Sequence, residues 1–95
     1  MTRFEWDPEK ARINARKHGI EFDDAKLVWS DPLHRVRPDR HATGEARWEA
    51  IGLVRGVVVL IVVHTARGST GAIIRIISAR RATRNERRQY DYGEF

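Results

Sequence analysis

An uninterrupted apolar run of seven residues, Val57–Val63, constrains the fold more than any other feature of the chain. It has no polar side on either face, which is typical of a strand in the middle of a sheet that is covered on both sides. A run of this length is far too short to cross a bilayer, which takes roughly 20 residues. Arg55-Gly56 separates it from the preceding segment "ARWEAIGLV". A two-residue gap ending in glycine predicts a tight hairpin that feeds this central strand.

Two helices are predicted before the sheet and one after it. In "DPEKARINARKHG", Asp7 is a suitable N-cap, Pro8 suits the first helical position and Gly19 can end the helix in a left-handed conformation. The segment "IEFDDAKLVWSDP" has apolar residues at helical spacing and predicts a second helix. "ATRNERRQY" contains good helix formers and predicts a C-terminal helix that begins near Thr83.

Short strands are predicted in "RFEW", "LHRVR" and "AIIRIISA", in addition to the central hairpin. Strands joined by hairpins favour antiparallel pairing, and helices segregated at the two ends of the chain favour an α+β fold. Ninety-five residues are enough for one hydrophobic core and not for two. We therefore expect a single domain over residues 1–95, with a mostly antiparallel sheet, two N-terminal helices and a short C-terminal helix.

The charge of the chain indicates a polyanionic partner. Eighteen Lys and Arg residues stand against thirteen Asp and Glu residues, and fifteen of the eighteen cations are arginine. The planar arginine fork recognises phosphate well, so nucleic acid is the first expectation; an arginine-rich but merely solvated surface is the alternative. There is no cysteine, which excludes disulfides and thiolate chemistry. The N-terminus does not resemble a signal peptide, and we expect a cytoplasmic protein with no membrane partner.

Three segments together resemble the BrnT-type toxins of type II toxin–antitoxin systems. They span Phe4 to Tyr90 in order and read "FEWDPEKARINARKHGIEFDDA", "ARWEAIGLVRGVVVLIVVHTAR" and "IIRIISARRATRNERRQY". The chain departs from the family pattern at Arg55-Gly56, where relatives often have Asn-Gly, and at Arg81, where they often have lysine. The first difference alters only the hairpin, and the second keeps the charge.

The resemblance implies a RelE-like fold and a ribonuclease activity that arrests translation. It also implies neutralisation by a BrnA-like antitoxin, which binds DNA and brings the toxin to operator DNA in a higher-order complex. The toxin itself would then meet RNA as substrate and operator DNA only through the antitoxin. No cofactor is expected.

Metal-independent RNA cleavage uses the 2′-hydroxyl of the substrate as nucleophile, so the protein must move protons and stabilise charge on the phosphate. His64 is predicted to be catalytic because imidazole titrates near neutral pH and this one follows the most apolar strand. The alternative is that His64 only caps the strand by a backbone hydrogen bond. Arg67 and Arg80 are predicted to stabilise the phosphate, since each lies where a strand ends.

Further cations are predicted to bind RNA. Strict alternation places Arg80 on one side of the last strand with Ile74 and Ile76, and Arg75 on the other. A mid-strand arginine requires an exposed sheet face or an ion pair, which favours a functional face for Arg75. A solvated helix face and a complemented helix dipole are the alternatives for the other candidates. The predicted RNA-binding residues are Arg75, Arg81, Arg84, Lys17 and His18.

No metal site is predicted, because the four histidines show no close ligand spacing. Three function classes stay open on the residues alone. They are an RNA-cleaving toxin, a nucleic-acid-binding module without turnover, and a subunit whose basic face meets only an acidic protein.

Overall fold

The computed structural model describes residues 2–41, 44 and 46–95. The longest helix in this part of the chain has 11 residues, and none is long and apolar enough to cross a membrane. The elements are β1 (Arg3–Glu5), α1 (Pro8–His18), α2 (Phe22–Ala25), a 3-10 helix (Lys26–Ser30), β2 (Arg35–Pro38), β3 (Trp48–Val54), β4 (Val58–Arg67), β5 (Ile73–Arg81) and α3 (Arg84–Asp91).

The described strands form one five-stranded sheet in the order β1-β5-β4-β3-β2. β4, which contains most of the long apolar run, lies in the centre as predicted. The pairs β2–β3, β3–β4 and β4–β5 are antiparallel, whereas β1 runs parallel to β5 with Glu5 beside Arg75. The α+β class is confirmed, and the sheet is mixed because the chain crosses from β1 through the helices before it returns to that edge.

One face of the sheet is covered by α1, α2 and the 3-10 helix. Phe22 and Val28 from these helices are fully buried against Leu60, Val62 and other sheet residues. The 3-10 helix approaches β3 so closely that a Cβ atom on Gly52 would lie 2.9 Å from a methyl carbon of Val28. Glycine at this position is therefore required by close packing.

The second predicted helix is shorter than the sequence pattern indicates. Only Phe22–Ala25 is α-helical, and the chain continues as the 3-10 helix through Ser30. Asp31 follows in an extended conformation and Pro32 cannot donate a backbone hydrogen bond. The tighter helix still buries Val28 because its side chain faces the sheet.

α1 has the predicted ends. Asp7 accepts a hydrogen bond from the Glu9 amide at 2.8 Å, and Gly19 adopts φ 69° at the C-terminus. Its fully buried residue is polar, Asn14, while Ala11 is a half-buried apolar contact with the core. The Asn14 amide donates to the Ala79 carbonyl at 3.0 Å and accepts from the Ala79 N–H at 3.0 Å. It also donates to the Ile20 carbonyl at 3.1 Å, so one side chain ties α1 to the edge of β5.

A β-bulge changes the side-chain alternation in β5. Val63 pairs with Ser78, but the next residue, His64, pairs with Ile76, which leaves Ile77 as an extra residue. The predicted grouping of Arg80 with Ile74 and Ile76 is therefore wrong. Ile74, Ile76 and Ala79 pack in the helix-covered core, whereas Arg75, Ser78 and Arg80 lie on the opposite face.

That opposite face is covered at one end only. Ile51, Val59 and Ile61 form a small buried cluster there, against which Tyr90 of α3 and the C-terminal Phe95 pack. Beyond this cluster the sheet surface continues towards the far end of β4 without an apolar cover among the described residues. We call this region the open face; its residues are Glu5, Val63, Thr65, Arg67, Arg75 and Ser78.

Replacing Asn14 by alanine should lower the free energy of unfolding by about 2–4 kcal/mol. The change removes three hydrogen bonds and leaves the buried Ala79 N–H without its partner. Arg16→Ala, at an exposed position of the same helix, is the control and should change stability by less than about 0.5 kcal/mol. Urea unfolding measures both, and equal losses would show that the Asn14 contacts contribute nothing specific.

Candidate active site

Three charged side chains meet on the open face. Arg67 of β4 donates two hydrogen bonds to the Glu5 carboxylate, one of them at 3.2 Å between Nη2 and Oε2. Arg75 of β5 approaches the same carboxylate, with Nη1 3.9 Å from Oε1, the oxygen that Arg67 Nη1 also contacts. The parallel pairing of β1 with β5 produces this arrangement, because it sets Glu5 directly beside Arg75.

The two arginines keep Glu5 charged. The hydrogen bonds from Arg67 hold the pKa of the Glu5 carboxyl below its usual value, with a smaller contribution from the charge of Arg75. Glu5 in turn raises the pKa of Arg67. An arginine pair that holds a carboxylate in this way presents the same donors that phosphate recognition requires.

Arg80 lies on the same face, nearer to α3, and forms an ion pair with Glu86. The contact is bidentate, with Nη1–Oε1 at 2.7 Å and Nη2–Oε2 at 3.0 Å. Glu86 also caps α3, since its carboxylate accepts from the Thr83 N–H at 2.8 Å. These contacts, led by Arg80, lower the pKa of Glu86 to about 2. The geometry gives Arg80 a structural role in seating α3; its predicted catalytic role stays a prediction.

A second contact holds the other end of α3. The Tyr90 hydroxyl donates to the Asp31 carboxylate at 2.5 Å. Burial and this contact raise the pKa of Tyr90 to about 12. Asp31 also accepts from the Leu53 N–H at 2.7 Å, so α3, the 3-10 helix and β3 share one carboxylate. These two contacts keep α3 over the cluster of Ile51, Val59 and Ile61, so the helix does not extend over the open face.

Glutamates are the functional candidates that sequence reasoning missed. Glu5, Glu49 and Glu86 each pair with an arginine on this side of the sheet, Glu49 with Arg37 at 2.9 Å. Their spacing in the sequence is too irregular to reveal the pairs. The one available signal was Arg75, whose mid-strand charge requires an acidic neighbour or solvent. No group of three His, Asp or Glu side chains among residues 2–41, 44 and 46–95 is arranged to hold a metal ion.

Comparisons with known proteins agree with this architecture. The family model described as "Ribonuclease toxin, BrnT, of type II toxin-antitoxin system" matches residues 6–86. The chain belongs to the BrnT family. It is thus a ribonuclease toxin of a type II toxin–antitoxin system, which implies an antitoxin partner, and the resemblance read from its motifs is confirmed.

A solved BrnT structure has the same fold. The 1.1 Å crystal structure of the Brucella abortus ribonuclease toxin BrnT matches with a TM-score of 0.68 and 28% sequence identity. The match covers 88% of this chain and 100% of that chain. No curated protein matches this chain.

Within this BrnT fold, Lys17 and His18 lie close to the bulge. They line a groove of about 200 Å³ between α1 and β5, together with Ile77 and Ser78. Ser78 belongs to the open face, so the groove continues that face around the edge of β5. The structure thus brings Lys17 and His18 to the same edge of the sheet as Arg75.

His64 occupies a different environment from the one a catalytic base requires. It lies on the helix-covered face, with a relative exposure of 2%, and its ring meets Trp29 edge-on at 4.8 Å between centroids. Its Nδ1 donates to the Val62 carbonyl at 3.1 Å, which is the backbone contact considered as the alternative. Burial lowers the pKa of His64 and favours the neutral imidazole. Its predicted catalytic role stays a prediction, and this geometry does not support it.

Arg81 and Arg84 lie at the other end of the sheet. Arg81 pairs with Leu60 beside the β3–β4 hairpin, whereas Arg75 pairs with Thr65. The two arginines are six positions apart in β5, a distance of roughly 20 Å along the strand. The structure therefore divides the predicted RNA-binding residues between two ends of the sheet.

The stability of the protein should fall as the pH drops below about 6.5, because of His64. In this range His64 binds a proton in the unfolded chain but stays neutral in the folded protein, because burial lowers the pKa of its imidazole there. The slope should approach but not exceed about 1.4 kcal/mol per pH unit. Urea unfolding at about pH 7 and about pH 5.5 measures it, and His64→Gln should flatten the slope. An unchanged slope in that variant would contradict the assignment.

Replacing Arg80 by alanine should weaken the docking of α3. We expect the free energy of unfolding to fall by about 1–2 kcal/mol. This is less than the loss of a fully buried ion pair costs, because Arg80 is about a third exposed and solvent screens its charge. Amide hydrogen exchange should accelerate in α3 more than in β4. Arg84→Ala, on an exposed position of the same helix, is the control and should leave exchange in α3 unchanged.

Proposed function

We propose that this BrnT-family toxin is a metal-independent endoribonuclease whose active site is the open face. The observation that carries the proposal is the convergence of Arg67 and Arg75 on the Glu5 carboxylate. A phosphodiester of RNA offers these arginines the same paired oxygens and a full negative charge. The substrate phosphate therefore takes the place of the carboxylate between them.

When the phosphate displaces Glu5 from Arg67, Glu5 can act as the general base. The contact with Arg67 is what lowers its pKa most, so its release makes the carboxylate a stronger base beside the bound phosphate. Glu5 then accepts the proton of the 2′-hydroxyl, whose oxygen attacks the phosphorus atom. The bond to the 5′-oxygen breaks, and this oxygen takes a proton from solvent. The products are a 2′,3′-cyclic phosphate and a 5′-hydroxyl end.

Arg67 and Arg75 act by stabilising charge. They neutralise the extra negative charge that develops on the non-bridging oxygens as the 2′-oxygen attacks. Lys17 and His18, on the groove around the edge of β5, extend the basic surface to a neighbouring phosphate. Arg80 borders the site and positions α3 through Glu86.

The family supports the wider biological expectations. We propose a RelE-like arrangement, arrest of translation by RNA cleavage in the cytoplasm, and neutralisation by a BrnA-like antitoxin. In that scheme the antitoxin supplies the DNA contacts at the operator and assembles toxin copies into a larger complex.

One observation favours a second candidate function, a nucleic-acid-binding module without turnover. His64 is buried, so no histidine of the described strands faces the substrate on the open face. A binding module needs the arginines but no general base. Glu5→Gln separates the two functions because it removes the base and keeps a polar partner for Arg67.

The decisive experiment is cleavage of RNA in EDTA by the purified protein and its variants. Arg67→Ala and Arg75→Ala should each slow cleavage by about 10²–10³-fold, and Glu5→Gln by about 10²–10⁴-fold. The control is Arg12→Ala, which removes an arginine that pairs with Glu9 on the surface of α1. It should stay within about two-fold of the parent.

Product ends and binding complete the test. The parent should leave 2′,3′-cyclic phosphates, and Glu5→Gln should still bind an RNA with 2′-O-methyl groups as tightly as the parent. A folded parent that binds this RNA yet never cleaves unmodified RNA, with or without ribosomes, would establish the binding module instead.

A further inference from the structure

The tip of the β3–β4 hairpin carries a residue that is uncommon for its backbone conformation. Arg55 and Gly56 have φ values of 55° and 68°, and the Val57 N–H donates to the Val54 carbonyl at 3.1 Å. These are the features of a type I′ turn, in which asparagine, aspartate or glycine normally occupies the first position. Arginine is strained there, because its Cβ makes a left-handed backbone unfavourable. A strained residue at an exposed turn points to a function of its side chain.

Beside this turn, Val57 projects into solvent with a relative exposure of 78%. A groove of about 320 Å³ on one side of it is lined by buried apolar residues, among them Ile20, Val54 and Leu60. A second groove, of about 190 Å³, lies on its other side against the start of α3. We call this surface the hairpin patch; its residues are Arg55, Val57, Val58, Arg81, Arg84 and Arg87.

The rim of the hairpin patch is strongly basic. It carries four arginines, whereas Asp24 is the one carboxylate that lines either groove in the described chain. Arg55 pairs with that carboxylate at 2.9 Å on the surface, and Arg87 pairs with Asp91 of its own helix at 3.3 Å. Within residues 2–41, 44 and 46–95, neither Arg81 nor Arg84 forms an ion pair. The patch therefore presents cations around an apolar centre.

This combination fits a protein segment better than RNA. RNA phosphates would match the arginines but leave Val57 and the apolar groove without a partner. A segment with acidic residues around one or two apolar side chains matches both, with the apolar residues as anchors and the charges as rim.

We propose that the hairpin patch docks an acidic, apolar segment of the antitoxin. Along the paired strands it lies roughly 20–30 Å from the Glu5–Arg67–Arg75 cluster, measured from Arg81 to Arg75 on β5 and from Val58 to Arg67 on β4. The antitoxin thus holds this toxin at a site remote from the RNA-cleaving face. The inference rests on the family's antitoxin partnership and is independent of the chemistry proposed for the open face.

The test uses the full-length cognate antitoxin and three toxin variants. Val57→Glu puts a negative charge at the apolar centre and should weaken antitoxin binding by about 100-fold. Arg55→Asn removes a rim charge and suits the left-handed backbone, so affinity should fall about tenfold while the melting temperature does not fall. Leu33→Glu, at another exposed apolar position, controls for the added charge and should bind like the parent.

Calorimetric titration gives the affinities, and cleavage of RNA by the free variants gives the activities. Weaker antitoxin binding with parental cleavage supports the proposal. Parental affinity of Val57→Glu would overturn it, and so would a loss of RNA binding in this variant with unchanged antitoxin affinity, which would assign the patch to RNA. If the parent cleaves no RNA, the function proposed for the open face fails, while the affinities still decide the docking site.

Discussion

The bulge opposite Val63 and His64 is the constraint on which the functional surface depends. Without it, Arg75 and Arg80 would point to opposite sides of β5, since they are five residues apart. The extra residue, Ile77, brings both to the face that the N-terminal helices leave free. Asn14 holds the strand just after the bulge through both backbone groups of Ala79. A helix that packs through a polar side chain thereby fixes the register of the basic strand.

Most of the fold follows from local signals in the sequence. Asp7 and Gly19 mark the ends of α1, the apolar run marks the central strand, and Thr83 begins the cap of α3 where the pattern indicates. The parallel pairing of β1 escaped prediction because three residues carry too little periodicity and their partner lies some seventy residues away. The bulge was not predicted, because the alternation rule assumes that each residue of a strand pairs with one residue of its neighbour. The apolar Ala79 directly after Ser78 is the one hint that the facing of side chains shifts there.

The site was predicted less completely than the fold. Arg67 and Arg75 were each singled out from the sequence, as a strand end and a mid-strand charge. Their meeting at Glu5 was not predicted, because it results from the pairing of β4 and β1 with β5. Glu5 was missed because its partners are distant in the chain, and the burial of His64 under Trp29 depends on tertiary packing that no motif encodes. The same limit applies to Arg81. It is adjacent to Arg80 in the sequence, but in the structure it lies beside the β3–β4 hairpin, away from Arg75. The protein thus has two distinct surfaces: the open face, whose charged cluster suits a phosphate, and the hairpin patch, whose apolar centre and basic rim suit a protein segment.

The central claim is that RNA binds at the open face, and nuclear magnetic resonance can test it directly. Uniformly nitrogen-labelled protein would be titrated with an RNA oligonucleotide that 2′-O-methyl groups protect from cleavage. The account predicts that the largest shift changes occur at Glu5, Arg67 and Arg75, with smaller ones at Lys17 and His18. Changes concentrated around Val57 and Arg84, with none at Arg67 and Arg75, would contradict it.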